Sequence, residues 1–210
     1  METGAPPYGF VMSLPESAAA PSGAVAAVSD PAPAPPDPTA DVAVPARDLS
    51  QHAGVQRVLA ALAVHGVEPR VVVLPDAART AAAAAAALGV TPAEIANSLV
   101  FRAHDEEGTI TPLLVLTSGA HKVDLVKVAE LVDGIDHLDR ADAAFVRAAT
   151  GFAIGGVAPV GHPEPIQTVV DVSLSRYLHV WAAAGHSHTV YETTYEELLR
   201  VSGGHAIEVA

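Results

Sequence analysis

The feature that most limits how this chain can fold is a change of composition between residues 46 and 47. Residues 1–46 contain no Lys or Arg and are dominated by Ala, Pro, Ser and Asp, as in the run PAPAPPDP at 31–38. Such a segment buries too little apolar surface to offset the entropy lost on ordering it. We therefore predict a disordered Ala/Pro-rich tail over 1–46 and a single folded domain over 47–210.

Composition also excludes several classes of protein. The chain has no cysteine, which rules out disulfides, thiolate catalysis and Cys-ligated metal. Charged residues, Gly or Pro interrupt every apolar run well before the roughly 20 residues of a membrane helix. The first residues lack the positive start of an export signal. We expect a soluble cytoplasmic protein with no membrane contact, and the sequence predicts no oligomeric state.

The charge of the folded part constrains its partners. Residues 47–210 contain all 11 Lys and Arg but 19 of the 24 Asp and Glu, a net charge of −8. This balance argues against a protein that grips long nucleic acid through many phosphates. Any contact with a nucleic acid is expected to be small.

Helical periodicity and capping residues predict the helices. Thr80 stands before a run of alanines that ends at Gly89, and a capping box at 91–94 opens a short helix. A second capping box begins at Thr194. Besides the short helix, the helices are predicted at 49–65, 81–87, 124–131, 139–149 and 195–202.

Short β-branched and apolar runs predict the strands. Two of these runs, at 98–103 and 111–117, flank a charged tip and indicate a central hairpin. The link before residue 139 has room for one further strand. The other predicted strands lie at 70–74, 151–156, 167–171, 179–183, 189–192 and 207–209. This order predicts an α+β domain with a mixed, curled sheet flanked by helices.

Several segments, in this order, are similar to a known family. They are Thr80 with the alanine run and Leu88-Gly89-Val90, IANSLVF at 95–101, LVLTSGAHKVD at 114–124, ATGFAIGGVAPVG at 149–161, and then VD at 170–171 and WAAAG at 181–185. Over residues 50–210 the chain resembles the YbaK family, also called the prolyl-tRNA-synthetase-associated or INS-like editing domain.

The resemblance implies a single-domain deacylase that acts in trans on the ester of a mischarged aminoacyl-tRNA. It implies contact with the tRNA acceptor end and no obligatory metal or organic cofactor. It also implies that the loop at 155–159 measures the amino-acid side chain by steric exclusion. One residue departs from the family pattern, because Asn97 stands where the motif Ile-x-Lys-Ser/Thr-Leu-Val has a lysine associated with positioning the substrate.

The loop at 155–159 is the strongest candidate for the catalytic centre. Gly155 and Gly156 permit positive φ and close approach of a ligand, and exposed backbone N–H groups can hold a developing oxyanion. Val157, Ala158 and Pro159 are predicted to bind substrate beside them. A tight turn between two strands is the alternative explanation for the two glycines.

Asn97 is predicted to take part in catalysis by orienting the substrate. Its amide both donates and accepts hydrogen bonds, so it can contact the terminal ribose or the carbonyl, but it supplies no charge. A solvent-facing polar residue beside a strand is an equally weighted alternative.

Two histidines precede a predicted strand in the sequence GHSH at 185–188. We predict that His188 carries a proton or orients water and that His186 binds substrate. Surface histidines are the plain alternative. A zinc hydrolase using this pair with His162 or His121 is a third, but no complete ligand spacing supports it and we predict no metal.

Further substrate contacts are predicted after the second strand of the hairpin. Ser118 and Gly119 are expected to line the pocket where that strand ends, and Lys122 to contact a phosphate, with a solvated lysine as the alternative. The predicted function is therefore trans-editing hydrolysis of mischarged aminoacyl-tRNA. The alternative is a non-catalytic module of the same fold that binds an aminoacyl or nucleotide-like ligand.

Overall fold

The computed structural model describes residues 48–75 and 80–210, all of which lie in one compact unit, Ala43–Ala210. The predicted tail falls outside the described residues. The helices are α1 Ala53–Val64, α2 Ala81–Leu88, α3 Leu125–Leu131, α4 Ala143–Thr150 and α5 Tyr195–Ser202. The strands are β1 Val71–Val73, β2 Ile95–His104, β3 Ile110–Ser118, β4 His137–Arg140, β5 Gln167–Asp171, β6 Val180–Ala183, β7 Thr189–Thr193 and β8 His205–Ile207.

The strands form one mixed sheet in the order β1-β7-β6-β2-β3-β5-β8, with β4 pairing β2 beside this path. The antiparallel hairpin of β2 and β3 is its longest pairing, unbroken from Ala96 opposite Ser118 to His104 opposite Ile110. Strands β2 and β6, β3 and β5, and β5 and β8 pair in parallel. The predicted α+β fold with a mixed sheet is confirmed, and the sheet is not closed.

Side-chain caps explain where several helices begin. The Thr80 hydroxyl accepts from the N–H of Ala83 at 3.2 Å, and Asp124 and Thr194 cap α3 and α5 in the same way. At 92–94 the predicted short helix is a single 3₁₀ turn. The Glu94 carboxylate there accepts from both the N–H and the hydroxyl of Thr91, and these hydrogen bonds lower its pKa.

Two predictions around α4 are wrong. The helix begins at Ala143 and not at residue 139, because 137–140 pair with β2 as strand β4 and Asp142 supplies the N-cap. Residues 151–156 form a loop, not a strand. Gly151 ends α4 at φ +71°, and the N–H of Gly156 turns back to the carbonyl of Ala153. Elsewhere, β2 begins three residues earlier than predicted and β8 two residues earlier.

The core lies on both faces of the sheet. The largest cluster joins α1, α4 and α5 to the sheet through residues such as Leu62, Val146 and Leu198. A smaller cluster packs Ala84 and Ala85 of α2 against Ile95 and Val190, so α2 covers the start of β2. Among the described residues, no helix is both long and apolar enough to span a bilayer.

Candidate functional site

The candidate site is a gap in strand pairing along one edge of β2. On its other edge β2 pairs with β3 over its whole length. On the gap edge β6 pairs only with Ile95 and Ala96, and β4 only with the segment from Phe101 to His104. No described strand pairs with residues 97–100 on this edge. The unpaired stretch leaves backbone hydrogen-bonding groups available at the mouth of a cavity.

The backbone of Ser98 faces this gap. The N–H of Gly119 donates to the carbonyl of Ile95, so the odd-numbered residues of β2 direct their backbone groups toward β3. The carbonyl of His104 accepts from Asp136 on the opposite edge, as the alternation requires. Moreover, the Ser98 hydroxyl is buried and has no hydrogen-bond partner among the described residues. Ser98 therefore offers the cavity three polar groups that a ligand could satisfy.

We call the cavity at this gap the ester cavity, after the ester that the resemblance in the sequence predicts as its ligand, and its volume is about 150 Å³. Its polar side chains carry one amide, from Asn97, and four hydroxyls, from Thr80, Ser98, Ser187 and Thr189. Its larger apolar walls come from Ile95, Leu99, Ile154, Val157, Trp181 and Val190. No acid, base or histidine is found among the described residues that line it.

The loop after α4 closes the ester cavity. Gly155 has φ +88°, a backbone conformation that residues other than glycine rarely adopt. Together with Val157 it lines the cavity. A Cβ on Gly156 would lie 2.9 Å from backbone atoms of His186, so the loop can pack against the 185–188 turn only with glycine there.

The amide groups of this loop differ in their availability. The N–H of Gly156 already donates to the carbonyl of Ala153 at 2.9 Å. In the described part of the chain, no hydrogen bond engages the N–H of Gly155 or Val157. These two amides are thus available to an acceptor on a bound ligand.

The other predicted site residues lie outside the ester cavity. Gly156 and His186 line a neighbouring cavity, and Pro159 lines a third beside α5. Ala158 is fully buried. The remaining residues, which line none of the cavities described above, are Ser118, Gly119, Lys122 and His188.

The two histidines of the 185–188 turn are held by the fold. His188 is buried, its Nδ1 lies 3.3 Å from the carbonyl oxygen of Leu74, and its N–H donates to Nδ1 of His186. Their rings stack with centroids 5.4 Å apart. Ser187, between them, lines both the ester cavity and its neighbour. Ser187 and Ser98 could not be singled out from the sequence, since only the packing of distant segments brings them to a cavity.

Ser118 belongs to a hydrogen-bond network centred on the buried Asp171. One oxygen of Asp171 accepts from the Ser118 N–H at 3.1 Å and lies 2.8 Å from Nδ1 of His121, while the other caps the turn at Ser173. Burial raises the pKa of Asp171. The hydrogen bonds from Ser173 and Ser118 and the charge of His121 outweigh it, so the pKa is lowered overall. The Ser118 hydroxyl donates to the carbonyl of Ala93.

In the described residues, one group of three side chains has the spacing of a metal site. Ligand atoms of His104, His137 and Asp139 lie within 4.8 Å of one another where β2 meets β4. This group contains none of the four histidines considered from the sequence. His121 is bonded to Asp171, and His162 lies 2.9 Å from the carbonyl oxygen of Ala158.

Comparison with known proteins gives a consistent result. The family model for the aminoacyl-tRNA editing domain matches residues 75–201. The chain is 31% identical over 119 residues to the uncharacterized protein YwhH of Bacillus subtilis (strain 168), which covers 57% of this chain and 72% of YwhH. It is 33% identical over 103 residues to a proline–tRNA ligase of Latilactobacillus sakei subsp. sakei (strain 23K). That match covers 49% of this chain and only 17% of the ligase.

Among solved structures, one described as "a putative trans-editing enzyme for prolyl tRNA synthetase" superposes with a TM-score of 0.67. It is 40% identical in sequence, and the match covers 75% of this chain and 96% of that one. The similarity noted in the sequence is confirmed by these matches.

Proposed function

The chain belongs to the aminoacyl-tRNA editing domain family, and from this membership we propose that it hydrolyses the ester of a mischarged aminoacyl-tRNA in trans. In this reaction a water oxygen bonds to the ester carbonyl carbon. The bond from that carbon to the terminal ribose oxygen breaks, and the leaving oxygen takes a proton. The products are the free amino acid and an uncharged tRNA.

The observation that carries the mechanism is the chemistry of the ester cavity. Its described lining contains hydroxyls, one amide and backbone groups but no side chain that titrates near neutral pH. We propose that the N–H groups of Gly155 and Val157 stabilise the oxyanion and that Asn97 and Ser98 hold the terminal ribose. The proton is then moved by the substrate itself, through its 2′-hydroxyl or α-amino group.

Selectivity follows from the apolar walls. Ile154 and Val157 stand on the loop beside Gly155, and Trp181 closes the cavity from β6. These side chains set the space left for the side chain of the bound amino acid. Steric exclusion at this loop is therefore proposed as the means by which correctly charged tRNA is spared.

A panel of mischarged tRNAs tests the proposal. Purified wild-type chain is expected to release an amino acid from at least one member, and Gly155→Val to abolish that release. Gly108→Val is the matched control, because Gly108 has φ +83° at the hairpin tip and the same backbone strain, with open space around it. A wild-type chain that deacylates no member of a broad panel would contradict the enzymatic function.

The absence of a titratable group in the described lining also favours a second candidate, a non-catalytic module that binds an aminoacyl or nucleotide-like ligand. Binding of a non-hydrolysable aminoacyl-adenosine analogue, with no turnover of any aminoacyl-tRNA, would select it. In either case the proposed partner is the acceptor end of tRNA and the proposed location is the cytoplasm.

A further inference from the structure

A second cavity lies directly behind the loop that closes the ester cavity. It has a volume of about 410 Å³. Consecutive glycines divide the two cavities, with Gly155 lining the ester cavity and Gly156 lining the second. Ser187 lines both. The two cavities are therefore neighbours on the same loop.

The second cavity is basic, although the protein is acidic. Its described lining includes Arg57, Arg147, His52 and His186 and no Asp or Glu. The whole chain carries a formal net charge of −13. The first turn of α1 also lines it, which brings the positive end of that helix dipole to the same place. The local charge is thus opposite to that of the molecule, and it favours an anion.

Arg57 supplies a positive charge that the fold holds at the wall of this cavity. Its guanidinium lies 4.1 Å from the centre of the Phe152 ring and against Gly151, where an added Cβ would come within 2.7 Å of a terminal nitrogen. Its Nε and one terminal nitrogen are buried without a hydrogen-bond partner among the described residues. An unsatisfied buried donor is costly, and more so on a charged group. The packing holds this charge in place before any ligand arrives.

Arg147 supplies a second guanidinium from the last turn of α4, and it is exposed. Two guanidinium groups at one cavity match the oxygens of a phosphate better than a single charge does. In an aminoacyl-tRNA the nearest phosphate belongs to the same nucleotide as the ester. A substrate with its ester in the first cavity therefore presents a phosphate close by.

We propose that this basic cavity binds a backbone phosphate of the tRNA acceptor strand through Arg57 and Arg147. The inference rests on the proposed function, since it takes the same substrate as its ligand. It also explains how an acidic protein holds tRNA, because one concentrated site replaces an extended basic surface.

The test measures binding and needs no turnover. The probe is a fluorescein-labelled single-stranded RNA ending in CCA, titrated with the full chain at several KCl concentrations while its anisotropy is recorded. The variants are Arg147→Ala and Arg57→Met, the second of which keeps an apolar stem over Phe152. Arg140→Ala is the control, because Arg140 is exposed on β4 and lines none of these cavities.

Each variant of the basic cavity is expected to weaken RNA binding about fivefold and to lower the slope of log affinity against log salt by about one unit. The control should match the wild type. Arg147 is exposed, so its variant should unfold like the wild type and remain informative if Arg57→Met is unstable. Unchanged affinity and slope in Arg147→Ala would overturn the proposal.

Competition with small ligands distinguishes the source of the phosphate. 5′-AMP should displace the RNA weakly, adenosine should not, and the effect of AMP should be lost in Arg147→Ala. Equal competition by adenosine would overturn a phosphate site. Tighter binding of AMP than of RNA would overturn the assignment to the tRNA strand. Because these experiments measure only RNA binding, their outcome does not depend on whether the chain hydrolyses an aminoacyl-tRNA.

Discussion

At the scale of single residues, Asp171 joins the end of β5 to the end of β3. Its carboxylate accepts hydrogen bonds from Ser118 and Ser173 and contacts His121. These contacts favour the charged form, so the folded protein keeps Asp171 ionised at a pH where the unfolded chain has begun to protonate it. The stability that it contributes is therefore present above its ordinary pKa of 3.8 and is lost as the pH falls through the lower folded value.

We expect Asp171→Asn to lower the free energy of unfolding at pH 7 by about 1–3 kcal/mol, because a buried acceptor loses its charge while its donors remain. The deficit relative to the wild type should shrink in acid below the ordinary pKa. Urea unfolding at a series of pH values measures both effects. Asp133→Asn, at an exposed position, is the control. A deficit that stays constant down to the lowest pH would contradict the account.

Asn97 is the residue at which this chain departs from the family motif. It lines the ester cavity in place of the lysine that the motif has at this position. Asn97→Lys introduces an ammonium group next to the proposed position of the ribose, whose leaving oxygen becomes negative in the transition state, and we expect it to raise the deacylation rate about tenfold. Asn97→Ala should lower the rate by a similar factor, since the amide hydrogen bonds are removed.

Single-turnover deacylation of a responsive tRNA measures these rates. If both variants kept the wild-type rate, Asn97 would be a lining residue without a part in the chemistry.

At the scale of elements, β2 lies in the interior of the sheet but has an unpaired stretch, residues 97–100, along one edge. The backbone of Ser98 faces the gap, whereas that of Leu99 faces β3. A proline at a gap-facing position removes no ladder hydrogen bond, but a proline at residue 99 removes one. We expect Leu99→Pro to lose at least about 3 kcal/mol of stability and Ser98→Pro distinctly less. Thermal unfolding compares them, and equal losses would show that the gap edge is paired.

The hairpin of β2 and β3 could be predicted because its two apolar runs and charged tip are local features. The gap in pairing could not be predicted from the sequence, because it depends on where β6 and β4 stop pairing along β2. Both of these strands come from later parts of the chain. The start of α4 was predicted wrongly for another reason. Asp139 and Asp142 are equally good capping residues in sequence, and only pairing of 137–140 with β2 excludes the first.

At the scale of the whole molecule, charge is distributed unevenly along the chain. Residues 1–46 carry five acidic residues and no basic one, so removing them changes the net charge from −13 to −8. The described core is built from residues between Val55 and Val209. We therefore expect a chain that begins at residue 47 to unfold at the same temperature as the full chain.

The shortened chain should also bind the CCA-ended RNA more tightly at low salt, because repulsion of the phosphates is reduced. The difference should vanish at high salt, where such repulsion is screened. Calorimetry and anisotropy measure the two effects. A large fall in the unfolding temperature would contradict the predicted domain boundary.

The candidate site shows the same limit of prediction at this scale. Asn97 and the glycine loop were found in the sequence since each lies within one recognisable segment. The basic cavity draws Arg57 from α1, Arg147 from α4 and His186 from the turn before β7, which are far apart in the chain. The sequence GHSH at 185–188 drew attention to His186, but nothing local to Arg57 or Arg147 distinguishes either from an ordinary surface cation.

The open stretch of β2 has a consequence for how such a protein can change. The ester cavity lies where four residues of β2 have no described pairing partner on one edge, so its position is set by backbone pairing. Ile154 and Ser187 stand at the opening on separate loops, outside the strands. Each can be exchanged without disturbing the ladder that holds the sheet together. The same scaffold can thus acquire a new specificity by single substitutions while its stability is left intact.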